Sequence, residues 1–175
     1  MLKTSVFVGT SVDGFIARAN GAIDWLPVGG GEDHGYNAFL ASVDALVVGR
    51  NTFDTVMSFD SWPYGPKPVF VLTNRPLTSP PPPGAVLECL SGSPEQVVAT
   101  LEARGFRHVY VDGGNVVQQF LQAGLIQSMT ITRVPRLIGS GIPLFGALAH
   151  DIVLRHMGTT HYPSGLVTSV YAIGA

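Results

Sequence analysis

Three stretches of the 175-residue sequence place glycine or small polar residues directly after short apolar runs, and each has the chemistry to hold an anion. Asp112-Gly113-Gly114-Asn115 follows the run His108 to Val111 and opens a helically spaced segment that continues through Val116. Glycines there let a backbone approach a ligand closely, and a helix start offers unpaired N–H groups. Val48-Gly49-Arg50-Asn51-Thr52-Phe53 repeats the arrangement with an arginine whose fork can grip phosphate oxygens. Leu72-Thr73-Asn74-Arg75-Pro76 ends its run on hydroxyl, amide and guanidinium groups. Taken alone, each stretch also reads as a tight turn or an ordinary helix start. Together, at the same ends of successive strands, they suit the phosphates of a dinucleotide. The spacing is not G-x-G-x-x-G, and no acidic residue sits suitably downstream for that fingerprint.

Other residues carry chemistry more weakly. Asp13-Gly14 can be a functional loop or a turn, and Trp25, beside Leu26, can stack on a ligand or fill a core. Glu32 and Asp33 are suited to the start of a helix, and His34 beside them either titrates near neutral pH or is simply exposed. Cys89 is the one cysteine, which excludes an internal disulfide and any cysteine-based zinc site; it reads as a small apolar filler in a strand. The zinc deaminase signature, the G-x-S-x-G elbow and the G-x-x-x-x-G-K loop are missing, and no metal site is expected.

The elements that must position these residues are legible as alternating strands and helices. Strand character recurs at Thr4–Val8, Ala45–Val48, Val69–Leu72, Val86–Leu90, His108–Val111, Ser128–Val134, Ile152–Arg155 and Leu166–Ala172. Several of these runs are continuously apolar, as strands are when helices cover both faces of a sheet. Helical spacing marks Asp33–Ser42, Asn51–Ser58, Ser93–Arg104 and Asn115–Ala123, the third with Ser93 as N-cap, Pro94 in the first turn and Gln96 as capping-box partner. The order predicts an α/β domain: a mostly parallel central sheet of about eight strands, four flanking helices and an antiparallel C-terminal edge. The Val28-Gly29-Gly30-Gly31 run is expected to be mobile and Pro80–Pro83 to be a stiff connection. Neither divides the chain, so residues 1–175 read as one domain.

Composition limits the partners. Hydrophobic residues make up 46% and charged ones 13%, with a formal net charge of −2, so there is no positive field to gather nucleic acid or anionic lipid. No apolar run reaches the roughly 18 residues of a membrane span. The first residues lack the apolar core of a signal peptide, so a soluble, cytoplasmic protein is expected.

VVGRNTF, VFVLTNRP, VYVDGGNVVQQFL and LIQSMTITRVP, in this order, resemble the dihydrofolate reductase fold. The opening SVFVGTSVDGFIA and the late LIGSGIPLF resemble the reductase domain of bacterial riboflavin biosynthesis, the RibD C-terminal type, and its stand-alone relatives. The resemblance runs from Lys3 to about Ala172. It implies NADPH as cofactor, with Gly49, Arg50, Asn51 and Thr52 meeting its phosphates and Thr73, Asn74 and Arg75 surrounding the adenosine 2′-phosphate. Asp112, Gly113, Gly114, Asn115 and Val116 would hold the pyrophosphate, and the loop from Thr10 to Ala17 would lie beside the nicotinamide. Asp13, Trp25 and Asp33 are then the candidate catalytic residues: Trp25 over the reacting ring and Asp33 as the carboxylate that dihydrofolate reductases use to hold a pterin. The implied activity is hydride transfer to a C=N or C=O carbon of a small heterocycle, as in 5-amino-6-(5-phosphoribosylamino)uracil reductase. A pterin reductase or a non-catalytic NADPH-binding module are the alternatives. The apolar composition, the strand-rich C-terminus and the stand-alone relatives together imply a homodimer.

Overall fold

The computed structural model describes residues 1–27 and 32–174, so the glycine run expected to be mobile, 28–31, lies outside the described residues. The central sheet is built from β1 (Lys3–Ser11), β3 (Ala45–Gly49), β4 (Pro68–Leu72), β5 (Val86–Leu90), β6 (His108–Asp112), β7 (Ser128–Val134), β9 (Leu154–His161) and β10 (Val167–Ile173). Their order is β5-β4-β3-β6-β1-β7-β10-β9. The first six in that order run parallel, and β10 and β9 add the antiparallel edge.

Helices cover both faces because the strands have apolar side chains on both. On one face α3 (Pro94–Ala103) and α4 (Gly114–Gln122) bury Val97, Leu101, Val117 and Phe120 against Val6, Val47, Val109 and Val111. On the other, α1 (Tyr36–Ser42) and α2 (Arg50–Val56) pack Phe39, Phe53 and Val56 against Leu46, Val48, Val71 and Tyr110. Each fully buried side chain of this size contributes about 1.5–3 kcal/mol. The capping box of α3 forms as expected: Ser93 Oγ accepts the Gln96 N–H, and Gln96 Oε1 accepts the Ser93 N–H at 2.9 Å.

Several boundaries differ from the sequence reading. The first helix starts at Tyr36 rather than Asp33, because the Asp33 carboxylate accepts the Gly35 N–H at 2.9 Å and Gly35 takes φ +84°, a turn that precedes the helix. The strand expected at Ile152–Arg155 runs instead from Leu154 to His161, and its hairpin turn is correspondingly shorter. A second sheet was not anticipated: β2 (Phe15–Ala17) pairs antiparallel with β8 (Ile142–Pro143). Cys89 is exposed on the edge strand β5 rather than filling a core.

Candidate functional site

Because the six strands are parallel, the stretches singled out for anion chemistry emerge at one end of the sheet. Gly49 lies level with Leu72, and Val48 with Asp112, so the junctions after β3, β4 and β6 stand side by side. The first and third touch. A Cβ on Gly113 would fall 2.5 Å from Thr52 Oγ1 and 3.5 Å from the Gly49 nitrogen, and a Cβ on Gly49 would fall 3.1 Å from Val116 Cγ2. Gly113 also adopts φ +99°, a conformation that L side chains rarely reach. The glycine-only position of the Gly-Gly pair is therefore the first, not Gly114. Helix α4 starts here with no side chain capping it, which leaves its first N–H groups to meet a ligand.

The cations at this end are engaged to different degrees. Arg50 donates from Nε to both Asp54 oxygens at 2.9 and 3.0 Å and from Nη1 to the Pro76 carbonyl at 3.4 Å. Thr73 Oγ1 accepts the Arg75 N–H at 3.1 Å and closes the turn after β4, leaving Asn74 and Arg75 exposed. Arg75 forms no ion pair among the described residues. Asn51 and Asn115 are exposed as well.

The loop after β1 folds over these junctions. Thr10 and Ala17, expected beside the nicotinamide, are buried. Asp13 accepts the Gly139 N–H at 2.8 Å and the Ile138 N–H at 3.2 Å; the Ser11 hydroxyl and these two amides hold its carboxyl below the usual range. Gly141 backs directly onto the Ala17 carbonyl, and Gln118 of α4 donates to the Pro143 carbonyl at 3.2 Å. The small β2–β8 sheet is thereby fixed to α4, with Ile16 Cδ1 only 2.9 Å from where a Cβ on Gly114 would sit.

On the α1 face the same end is aromatic and acidic. Phe7 meets Tyr36 edge-on at 5.4 Å and Phe39 at 5.1 Å between ring centroids, and Tyr110 donates from its hydroxyl to the Phe7 carbonyl at 2.7 Å. Asp112 lies two residues beyond Tyr110 on that face and accepts the Gly113 N–H at 2.8 Å. Burial pushes its carboxyl up to about 6, against the opposing effects of that amide and the Tyr110 hydroxyl. Its charge adds to the burial that raises Tyr36 and Tyr64 above the ordinary tyrosine range. Leu26 closes over β1, with its Cδ2 2.9 Å from where a Cβ on Gly9 would sit.

The three residues expected to be catalytic are not brought together. Trp25 is 2% exposed and packs with Val134 and Leu166, in the wall of a cavity that Leu26 and Arg136 also line. Asp13 clamps the 138–139 backbone, and Asp33 shapes the turn before α1. Glu32 Oε2 instead accepts from Ser164 Oγ at 2.5 Å and lies 3.4 Å from His34 Nε2, tying the approach to α1 to the β9–β10 turn. Asp112, read from the sequence as a cofactor contact, is the carboxyl beside the aromatic face. Tyr36 and Phe7, which the sequence reading did not single out, are half-buried there. No group of three or more metal-binding side chains occurs among the described residues, nor is any helix among them long and apolar enough to cross a membrane.

The RibD C-terminal domain model matches residues 3–168. The uncharacterized protein YwjB of Bacillus subtilis is 32% identical over 163 residues, covering 91% of this chain and 92% of its own. A crystal structure from Shewanella sp. PV-4, assigned to riboflavin biosynthesis, is 39% identical and covers 99% of this chain and all of the other, with a TM-score of 0.87. Enterococcus faecalis dihydrofolate reductase, complexed with NADP(H), shares the fold at 15% identity and a TM-score of 0.67, covering 99% of this chain and 97% of its own. This chain belongs to the RibD C-terminal domain family.

Proposed function

We propose that the protein is an NADPH-dependent reductase that delivers hydride to a C=N or C=O carbon of a small heterocyclic substrate, resembling 5-amino-6-(5-phosphoribosylamino)uracil reductase. The observation that carries this reading is the convergence of the Gly49–Arg50, Thr73–Arg75 and Gly113–Gly114 junctions on one sheet end. The residues there fit a dinucleotide. The uncapped start of α4 with Gly113 and Gly114 would hold the pyrophosphate, Arg50 and Thr52 the neighbouring phosphate oxygens, and the exposed Arg75 with Thr73 and Asn74 the 2′-phosphate.

When bound, the cofactor supplies the hydride from its nicotinamide ring. The chain's part is to orient the reactants and exclude water, for which Leu26 and Ile16 stand over β1 and Gly114. A proton must also reach the heteroatom of the reduced bond. Asp13, Asp33 and Asp112 each accept a backbone amide, but Asp112, raised to about 6 by burial, holds a proton closer to neutral pH and stands beside the aromatic face. The test is calorimetric titration with NADPH and NADH, followed by NADPH oxidation with a panel of pterins and aminouracils. At least ten-fold tighter NADPH binding and turnover with one panel member are expected. Equal affinities overturn the NADPH assignment, and binding without any turnover favours a non-catalytic dinucleotide-binding module.

A further inference from the structure

We propose that the cavity between residues 24–27 and the end of β7 binds the carboxylate of a flat heterocyclic acid, with Arg136 as its specificity-determining residue; this deepens the reductase reading above and rests on it. The cavity holds about 250 Å³, room for one substituted ring or for the acidic edge of a larger one.

Trp25, Leu26, Val134 and Leu166 supply its apolar surface. Its rim is fixed on two sides. The Arg136 carbonyl accepts the Val12 N–H at 2.9 Å, which ties it to the β1–β2 loop, and a Cβ on Gly165 would fall 3.3 Å from Pro135 Cγ, so the β9–β10 turn packs against it. In the sheet order β1 separates β7 from β6. The cavity therefore lies across β1 from Gly49, Thr73 and Gly113, and a dinucleotide spanning those junctions leaves it to a second reactant.

Two donors at this cavity lack partners. Trp25 is 2% exposed, and its Nε1–H is shut off from water with no acceptor among the described residues. A buried donor left unpaired is costly, so it marks a place for an acceptor from outside the chain. Arg136 is exposed and forms no ion pair among the described residues. The carboxylates around it are engaged elsewhere. Asp24 is gripped by Arg18 at 2.6 and 2.9 Å, a pairing that holds its carboxyl below the usual range with a smaller contribution from Arg136. Glu32 accepts from the Ser164 amide and hydroxyl and stands 3.4 Å from His34 Nε2. Residues 28–31 carry no charged side chain.

One guanidinium fork and one N–H suit a carboxylate, whose two oxygens can meet the first while a remaining lone pair accepts from the second. A phosphate dianion suits them less, because it would meet the same single cation with twice the repulsion from Asp24 and Glu32. The apolar lining beside the two donors then receives the ring that carries the acid.

The experiment titrates the isotope-labelled full chain with pterin-6-carboxylate, orotate and nicotinate, with pterin, uracil and pyridine as their carboxylate-free counterparts, and with 5-amino-6-(5-phosphoribosylamino)uracil. Binding is read by calorimetry and by the indole N–H resonances, with and without NADPH. Trp62, the other tryptophan, donates from Nε1 to the Gly65 carbonyl at 3.1 Å and serves as the internal reference. At least one acid is expected to bind ten-fold or more tightly than its counterpart and to move the Trp25 resonance while that of Trp62 stays in place. Arg136→Gln should abolish this preference without lowering the melting temperature, and Arg136→Lys should keep part of it. Binding of no acid at about 1 mM, an unmoved Trp25 resonance, a preference that survives Arg136→Gln, or tighter binding of the phosphoribosyl compound than of every acid overturns the proposal. Because binding is also read without cofactor, an acid held through Arg136 by a chain that ignores NADPH fails the reductase reading alone, and NADPH oxidation with uncharged rings only fails this inference alone.

Discussion

A methyl group on Gly113 would come within 2.5 Å of the Thr52 hydroxyl oxygen, so the turn after β6 is packed directly on the first turn of α2. Its neighbour Gly114 faces a different partner, the flexible end of Ile16 at 2.9 Å. The two glycines should therefore fail differently. Gly113→Ala combines a φ of +99° with a clash and is expected to cost about 1–3 kcal/mol of stability. Gly114→Ala is expected to displace Ile16 and the β1–β2 loop, weakening NADPH binding about ten-fold while lowering the melting temperature far less. Ile16→Val in the Gly114→Ala background should recover part of the affinity by returning space. Melting temperatures without ligand, set beside NADPH dissociation constants, check the pair; lost stability with intact affinity in Gly114→Ala would remove the loop argument.

Arg75, beside the β3 and β4 junctions, has no carboxylate partner among the described residues, whereas Arg50 is already paired with Asp54. Replacing Arg75 by Ala should cost about 1.5–3 kcal/mol of NADPH binding, the worth of a charge-assisted phosphate contact, and leave NADH binding unchanged. An equal loss for both cofactors would place Arg75 on the pyrophosphate instead. Unchanged NADPH affinity would remove it from the site.

Asp112 makes the fold's stability depend on pH. Its carboxyl is raised from 3.8 to about 6, so the folded protein keeps a proton that the unfolded chain releases. The stability this contributes is complete below about 4 and is lost as pH rises through about 6. Asp112→Asn, which can still accept the Gly113 N–H, is expected to match the parent near pH 4 and to exceed it by about 1–3 kcal/mol at pH 8. If Asp112 also supplies the proton, NADPH oxidation falls in this variant and the parent's rate declines above about pH 6. A stability difference that does not change with pH would show that the carboxyl is not desolvated.

How much of this was legible in the sequence depends on how local each signal is. The capping box of α3 and the glycines after β3 and β6 are written in consecutive residues, and the structure has them where they were expected. The β2–β8 sheet was not readable, since strands of two and three residues carry no alternation and their pairing depends on Asp13 reaching Gly139 across the chain. Trp25 was ambiguous for a related reason. Its core partners, Val134 and Leu166, come from β7 and the β9–β10 turn, far away in sequence. The same holds for Asp112, which as a letter before two glycines reads as part of a turn. Only the arrival of Tyr36 and Tyr64 from separate elements gives it a desolvated environment.

The C-terminal hairpin supports a last prediction, that the working form is a homodimer. In β9 seven of eight residues are exposed, so among the described residues no helix covers either of its faces and its outer edge has no partner in the sheet. Met157 on β9 and Val170 on β10 are 53% and 37% exposed, and Val153, just before β9, is 84% exposed. An open edge strand with apolar side chains is a template for pairing, and a lone monomer would have to leave its N–H and C=O groups to water and its apolar atoms uncovered. A second copy laid on this hairpin removes both costs with a symmetric contact. Light scattering at micromolar concentration should give twice the chain mass, and Met157→Lys should shift it toward the monomer without lowering NADPH affinity, because β9 lies three strands from β1 in the sheet order. A monomeric mass for the parent protein would contradict the assignment, and a dimer untouched by Met157→Lys would move the interface elsewhere.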